Sequence, residues 1–200
     1  MRLHDKQFYS EGFNKDDYVS AQIDRHKKKY KKKRKADHYF ECTDRIMRLI
    51  SNNSSMICLG TRNNHERDMF KKGLKPKNVD VCSLDISPLS HADYVMDFNS
   101  FPEEWNDKWD IVFSNALDHA VDATITFYKW LQITKPNGII ILGFDKNEVE
   151  EVEVREPVGK SDCCSFNSET VDSFMKVGGD QFEFIDYFEN SYRYYVLRKK

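Results

Sequence analysis

The sequence has no apolar run approaching the roughly 18 residues of a membrane-crossing helix. Its opening residues, MRLHDKQFYSEG, contain no apolar leader core. A soluble, unexported, cytoplasmic protein is therefore expected. The five cysteines (Cys42, Cys58, Cys82, Cys163 and Cys164) are odd in number and form no C-x-x-C pair. Two of them fall inside apolar strand patterns, so reduced thiols fit better than zinc ligands or a disulfide framework. The histidines show no metal-ligand spacing, and no metal is assigned. The nicotinamide-type turn G-x-G-x-x-G is missing as well, which argues against a dinucleotide-dependent oxidoreductase. No internal repeat and no linker divides the 200 residues, a length that can bury the core of one ordinary domain.

A net charge of -2 conceals an asymmetry. Residues 1–36 hold 12 Lys/Arg against 5 Asp/Glu, so the remainder carries 19 against 28. Residues 1–14 are an irregular lead. Val19, Ile23, His26 and Tyr30 then recur at helical spacing, predicting a helix from Asp16 to Lys35. Its second half places Lys27, Lys28, Lys29, Lys31, Lys32, Lys33, Arg34 and Lys35 in nine residues. Like-charge repulsion strains such a helix when nothing anionic is bound. A solvated lysine-rich face, a site for RNA or another polyanion, and a weaker membrane-surface role all fit this composition. We accordingly divide the chain into a basic helical extension, 1–36, and one α/β domain, 37–200.

The stretch Met56 to Glu66, MICLGTRNNHE, organises that domain. Met56 to Leu59 read as a buried strand, and Gly60 allows a tight exit. Asn63-x-x-Glu66 has the spacing of a capping box, opening a helix from Asn64 to Lys72 that closes at Gly73. The free N–H groups of that helix would face whatever sits above the strand. Upstream, a helix from Asp37 carries Tyr39, Cys42, Ile46, Met47, Leu49 and Ile50 on one stripe. Downstream, VDVCSLDIS and DYVMDF are strands ending near Asp85 and Asp97. The short link between them leaves an antiparallel pairing open. WDIVFSN gives the next strand. A helix from Asp122 to Ile133 follows, with Ile125, Tyr128 and Leu131 predicted inward. KPNG turns into Ile139–Phe144, which should lie mid-sheet. Residues 145–167 form a long acidic loop, the expected lid. A helix from Ser168 to Lys176 and a hairpin of two alternating strands close the chain.

The order of these features resembles the class I S-adenosylmethionine-dependent methyltransferases, over roughly Asp37 to Lys200. The resemblance rests on Gly60 after the first strand, Asp85 ending the second, Asp97 near the third, the turn Lys135-Pro136-Asn137-Gly138, and the terminal hairpin. It implies a Rossmann-like seven-stranded, mostly parallel sheet with a C-terminal antiparallel hairpin. The usual acidic residue two places before the first glycine is Cys58 here, and Arg62 and Asn64 stand where later glycines would. This Gly-x-Arg-x-x-x-Glu form, with Ser114-Asn115-Ala116-Leu117-Asp118-His119 after the fourth strand, resembles a divergent subgroup.

S-adenosylmethionine is the implied cofactor. Asp85, with Ile86 beside it, is placed to accept a ribose diol. Asp97 and Phe98 would serve the adenine, while Gly60, Thr61, Arg62 and Asn63 would line the methionyl end. Glu66 is either a helix cap or a cofactor ligand, and Asn115 joins the cofactor set from the strand-four exit. Methyl transfer is an in-line displacement that asks mainly for positioning and desolvation. A hydroxyl or protonated amine acceptor would also need a base, for which Asp118 and His119 are the candidates. Asn115 lacks a following Pro-Pro-aromatic, which on family analogy argues against exocyclic base nitrogens. The alternative is a non-catalytic binding protein on the same scaffold, with the basic arm as its working part.

Overall fold

The computed structural model describes residues 6–7, 15–29, 37–146, 164–166, 168–177 and 180–200. At its centre β2 (Ser55–Leu59) lies between β3 (Asp80–Asp85) and β5 (Trp109–Ser114), parallel to both. A strand enclosed in this way has no solvent face, which is why Met56 to Leu59 are apolar without alternation and all buried. β4 (Tyr94–Val95) and β6 (Thr134–Asp145) extend the parallel part. β8 (Phe182–Glu189) and β9 (Tyr192–Lys199) form the antiparallel hairpin. The seven strands run in the order β4-β3-β2-β5-β6-β9-β8. The expected α/β sheet is thus the fold observed.

Successive side chains of the central strands enter opposite layers, as the pleat requires. Ile57, Leu59, Val112, Ile140 and Leu142 share one core cluster with Phe127 and Trp130 of α4 (Ala123–Ile133) and Phe174 of α5 (Ser168–Val177). Met56, Cys58, Ile111, Phe113, Ile139 and Ile141 share the other with Tyr39, Cys42 and Ile46 of α2 (Asp37–Leu49) and Phe70 of α3 (His65–Gly73). The first cluster also takes in Tyr18 of α1 (Lys15–Lys29). A separate two-residue ladder joins β1 (Lys6–Gln7) to β7 (Cys164–Ser165). None of the four cysteines of described position is bridged.

Several sequence expectations are corrected. On α1 the buried residues are Tyr18 and His26, while Val19 and Ile23 are half-buried, so the inward face is turned about one position from the one predicted. The remainder of the predicted helix, residues 30–35, lies outside the described residues. The Asn63–Glu66 capping box does not form. Asn64 is the N-cap residue, in a left-handed conformation, and its side chain makes no cap hydrogen bond. Gly73 lies inside α3, and close packing explains it, since a Cβ there would meet Thr43 Cγ2 at 2.4 Å. On α4, Ile125 and Tyr128 face outward, and the buried stripe is Ala123, Thr126, Phe127, Trp130 and Leu131.

The pairing of β4 with β3 is parallel, so the antiparallel alternative falls. A link holding only one short helical turn, Pro88–Ser90, suffices because β4 is only two residues long and is hooked on by a side chain. Asp93 accepts from the backbone N and the Oγ of Ser83, at 2.8 and 2.9 Å. KPNG forms an irregular opening to β6 instead of a separate turn, with Asn137 at φ 63° and a register shift opposite Trp109–Ile111. Within the expected loop 145–167, Cys164–Ser165 is strand, and residues 147–163 and 167 lie outside the described set. The predicted helix end at Gly178–Gly179 lies outside it too. No described helix is long and apolar enough to cross a membrane.

Candidate functional site

The carboxyl ends of β2, β3 and β5 meet at Gly60, and crowding explains the glycine. Its φ is +75°, and an added Cβ would lie 2.8 Å from the Cβ of Ala116 and 3.5 Å from the ring of Phe98. Its N–H donates to the Leu84 carbonyl at 2.8 Å, so the turn after β2 is tied to the end of β3. Arg62 and Asn64, where the resemblance would place glycines, have φ 45° and 58°. The left-handed loop therefore survives without the residue that adopts it at least cost. Asn64 is held there by its side chain: Oδ1 accepts from Thr61 Oγ1 at 3.0 Å, and Nδ2 donates to the Ser90 and His91 carbonyls at 3.1 and 2.7 Å.

Asp85 closes β3 and is almost fully buried. Oδ2 accepts from the Arg62 backbone N–H and Oδ1 from that of Ser87, each at 2.8 Å. The carboxylate thus orders both loops, and each oxygen keeps further acceptor capacity. Two small pockets adjoin here, sharing Gly60, Arg62, Ala116 and His119. The first, about 40 Å³, is also lined by Asp85, Ile86 and Phe98 and, from α1, by Tyr18, Gln22 and His26. The second, about 30 Å³, is lined by Thr61, Asn63, His65, Glu66 and Asn115.

Glu66 is 7% exposed. Its Oε1 accepts from Tyr39 Oη at 2.9 Å, whereas Oε2 is buried and has no hydrogen-bond partner among the described residues. Asn115 Nδ2 is in the same condition. An unmatched acceptor and an unmatched donor, lining one pocket, call for an explanation because burying a polar atom unpaired is costly. Cys58 stands where the resemblance would place an acidic residue and is fully buried. Burial pushes its thiol well up, with the neighbouring Glu66 charge adding to the effect. A neutral thiol cannot hold an ammonium, but the carboxylate beside it can.

His119 faces both pockets. Its Nε2 lies 3.7 Å from Asp118 Oδ2, and its carbonyl accepts from Tyr18 Oη at 2.6 Å. Asp118 lines a third, smaller recess with Asn115, Leu117, Gly143, Phe144, Asp145 and Phe166. The structure thus brings Gly60, Thr61, Arg62, Asn63, Glu66, Asp85, Ile86, Phe98, Asn115 and His119 around the paired pockets, with Asp118 adjoining. Asp97 lies outside that group, and its Oδ1 accepts from the backbone N and Nδ2 of Asn99 at 2.9 and 2.7 Å. Sequence reasoning missed Tyr18 and Gln22, and it placed His26 on the buried stripe of the helix without assigning it to the site. Their i, i+4, i+8 spacing was the available signal. Among the described residues, no cluster of His, Cys, Asp and Glu could hold a metal ion.

No family model matches the sequence, and no curated protein does either. Solved structures do match. A chain from the complex of the Haloferax volcanii Trm112 methyltransferase activator with a protein assigned as a methyltransferase aligns with TM-score 0.61 and 16% identity, covering 94% of this chain and 99% of that one. The chain has the methyltransferase fold. A protein from Galdieria sulphuraria assigned as a sarcosine dimethylglycine methyltransferase aligns with TM-score 0.59 and 12% identity, covering 82% and 85% of the two chains. The [4+2]-cyclase SpnF aligns with TM-score 0.57 and 14% identity, covering 80% of each. The fold therefore hosts more than one chemistry, and function has to be argued from the site.

Proposed function

We propose that the chain binds S-adenosylmethionine across the two pockets and transfers its methyl group to an acceptor, an anionic one recruited by Lys27–Lys35. The observation that carries this reading is the second pocket's unmatched pair. An α-amino-acid headgroup offers an ammonium to Glu66 Oε2 and a carboxylate to Asn115 Nδ2, Arg62 and the N-terminal amides of α3, satisfying both orphaned atoms at once. Thr61 and Asn63 shape that pocket. In the first pocket Asp85 would take the ribose hydroxyls, and Ile86 and Phe98 would flank the base, with Asp97 just beyond. The reacting centre then falls at the shared wall, where His119, oriented by Asp118, would act as general base for an acceptor that must lose a proton.

A calorimetric titration with S-adenosylmethionine and its demethylated product tests the binding, and a methyl-transfer assay against RNA and small-molecule pools tests the chemistry. Asp85→Ala and Glu66→Gln should each weaken binding at least tenfold, since a charge-assisted hydrogen bond is worth about 1.5–3 kcal/mol. Unchanged affinity in both variants would sink the cofactor assignment. The small size of the pockets favours a second reading, a non-catalytic binding protein on this scaffold. Absence of cofactor binding would leave that reading standing.

A further inference from the structure

Helices α2 and α3 approach closely because the last residue of α3 has no side chain: a Cβ at Gly73 would meet Thr43 Cγ2 at 2.4 Å. Thr43 lies one turn after Tyr39 on α2, and Glu66, Phe70 and Gly73 follow one face of α3 at i, i+4 and i+7. The two faces meet, and Tyr39 Oη donates to Glu66 Oε1 at 2.9 Å. Tyr39 is 1% exposed and is not among the residues lining either pocket. Its ring stands edge-on to those of Phe70, Phe113 and His65, at centroid distances of 5.8, 6.3 and 5.7 Å. A packed wall thus holds the hydroxyl against one oxygen of Glu66. The other oxygen, Oε2, is buried and has no hydrogen-bond partner among the described residues, and its residue lines the second pocket.

We propose that Tyr39 is a positioning residue for this site: by fixing Glu66 Oε1 it aims Oε2 at the ammonium of a bound amino-acid headgroup, and so favours ligands that carry one. This inference rests on reading the second pocket as the headgroup half of an S-adenosylmethionine site, and it adds what sets that half in advance. A glutamate side chain has several free torsions, and ordering it at the moment of binding would weaken the ligand's hold. Tyr39 orders it during folding instead. A phenolic hydroxyl donates to the carboxylate without adding charge. A lysine or arginine in its place would also bind Glu66, but it would repel the ligand's ammonium.

The test is a double-mutant cycle on the full chain, with calorimetric titration of S-adenosylhomocysteine into the native protein, Tyr39→Phe, Glu66→Gln and the double variant. Tyr39→Phe keeps the buried ring and its aromatic contacts, and thermal unfolding without ligand checks that the fold is retained. Glu66→Gln keeps an acceptor for the hydroxyl but carries no charge to attract an ammonium. Tyr39→Phe should weaken binding about three- to tenfold in the native background, the effect of ordering one long side chain on binding, and change nothing in the Glu66→Gln background. Methylthioadenosine, which has the nucleoside and the thioether but no headgroup, should bind the native protein and Tyr39→Phe alike. Equal loss in both backgrounds, equal loss for both ligands, or no loss at all would overturn the positioning role and leave Tyr39 as core packing. No binding of S-adenosylhomocysteine to the native protein would overturn the cofactor reading itself, and the role of Tyr39 with it.

Discussion

Arg62 shows how the site keeps its shape with a residue other than glycine in a left-handed turn. A left-handed conformation costs a non-glycine residue about 1–2 kcal/mol, and glycine costs a folded chain about 0.5–1 kcal/mol in lost freedom. Arg62→Gly should therefore raise stability by about 0.5 kcal/mol, read as a shift in urea midpoint, while the loss of the guanidinium weakens ligand binding. Asn64→Gly should do the opposite. It relieves the same strain but removes the bonds to Ser90 and His91 that tie the β2 and β3 loops together. Gly60 and Asp85 were legible in the sequence because a strand-end glycine and a strand-end carboxylate each follow from local pattern. The environment of Glu66 was not. Its spacing from Asn63 matched a cap, and only tertiary packing brings Tyr39 to one oxygen and leaves the other without a hydrogen-bond partner among the described residues.

At the scale of elements, the central strands were readable because double burial forces continuous apolar runs. The inward faces of α1 and α4 were misjudged. A helix with apolar residues on several sides, such as α4 with Ile125, Tyr128, Phe127 and Trp130, has its face chosen by the sheet it meets, and periodicity alone cannot rank the stripes. The docking of α1 carries a pH dependence. Burial lowers the His26 imidazole below its ordinary value of 6.5, with Arg62 and His91 adding to the effect and Asp85 and the Leu89 backbone opposing it. A lowered value means that the undocked helix binds the proton more readily. Docking is therefore at full strength above pH 6.5 and weakens as pH falls from there toward the native value. Hydrogen exchange in α1, corrected for intrinsic rate, should rise relative to α3 across that interval. His26→Gln should abolish the difference, and a flat profile in the native protein would separate His26 from the docking.

The whole molecule is laced by carboxylates that join different elements. Asp93 binds β3 and Arg67 of α3, Asp110 binds Ser55 of β2 and Lys135 of β6, and Asp172 of α5 binds Tyr195 of β9 and Lys176. In each, burial alone would raise the carboxyl, but these hydrogen bonds and cations outweigh it and hold the group below its ordinary 3.8. The stability they supply is present above that value and is lost as pH falls below it, so cooperative unfolding in acid should set in only below about pH 4, as followed by tryptophan fluorescence.

The charge split between the arm and the body belongs to this scale as well, and it was legible from composition alone because charge needs no packing to be counted. The fold adds where the arm begins. His26 sits against the site, and exposed Lys27 and Lys28 follow it directly, so the basic run starts at the rim of the pockets. An anionic polymer held there would release counterions, and its affinity should fall with salt at a log-log slope of about -0.7 to -0.9 per neutralised phosphate. Replacing Lys27, Lys28, Lys31 and Lys32 by Gln should flatten that slope and raise the KM of a polymeric acceptor without weakening cofactor binding. A salt-independent reaction that survives the quadruple replacement would instead mark the acceptor as a small molecule and the lysines as a solvated face.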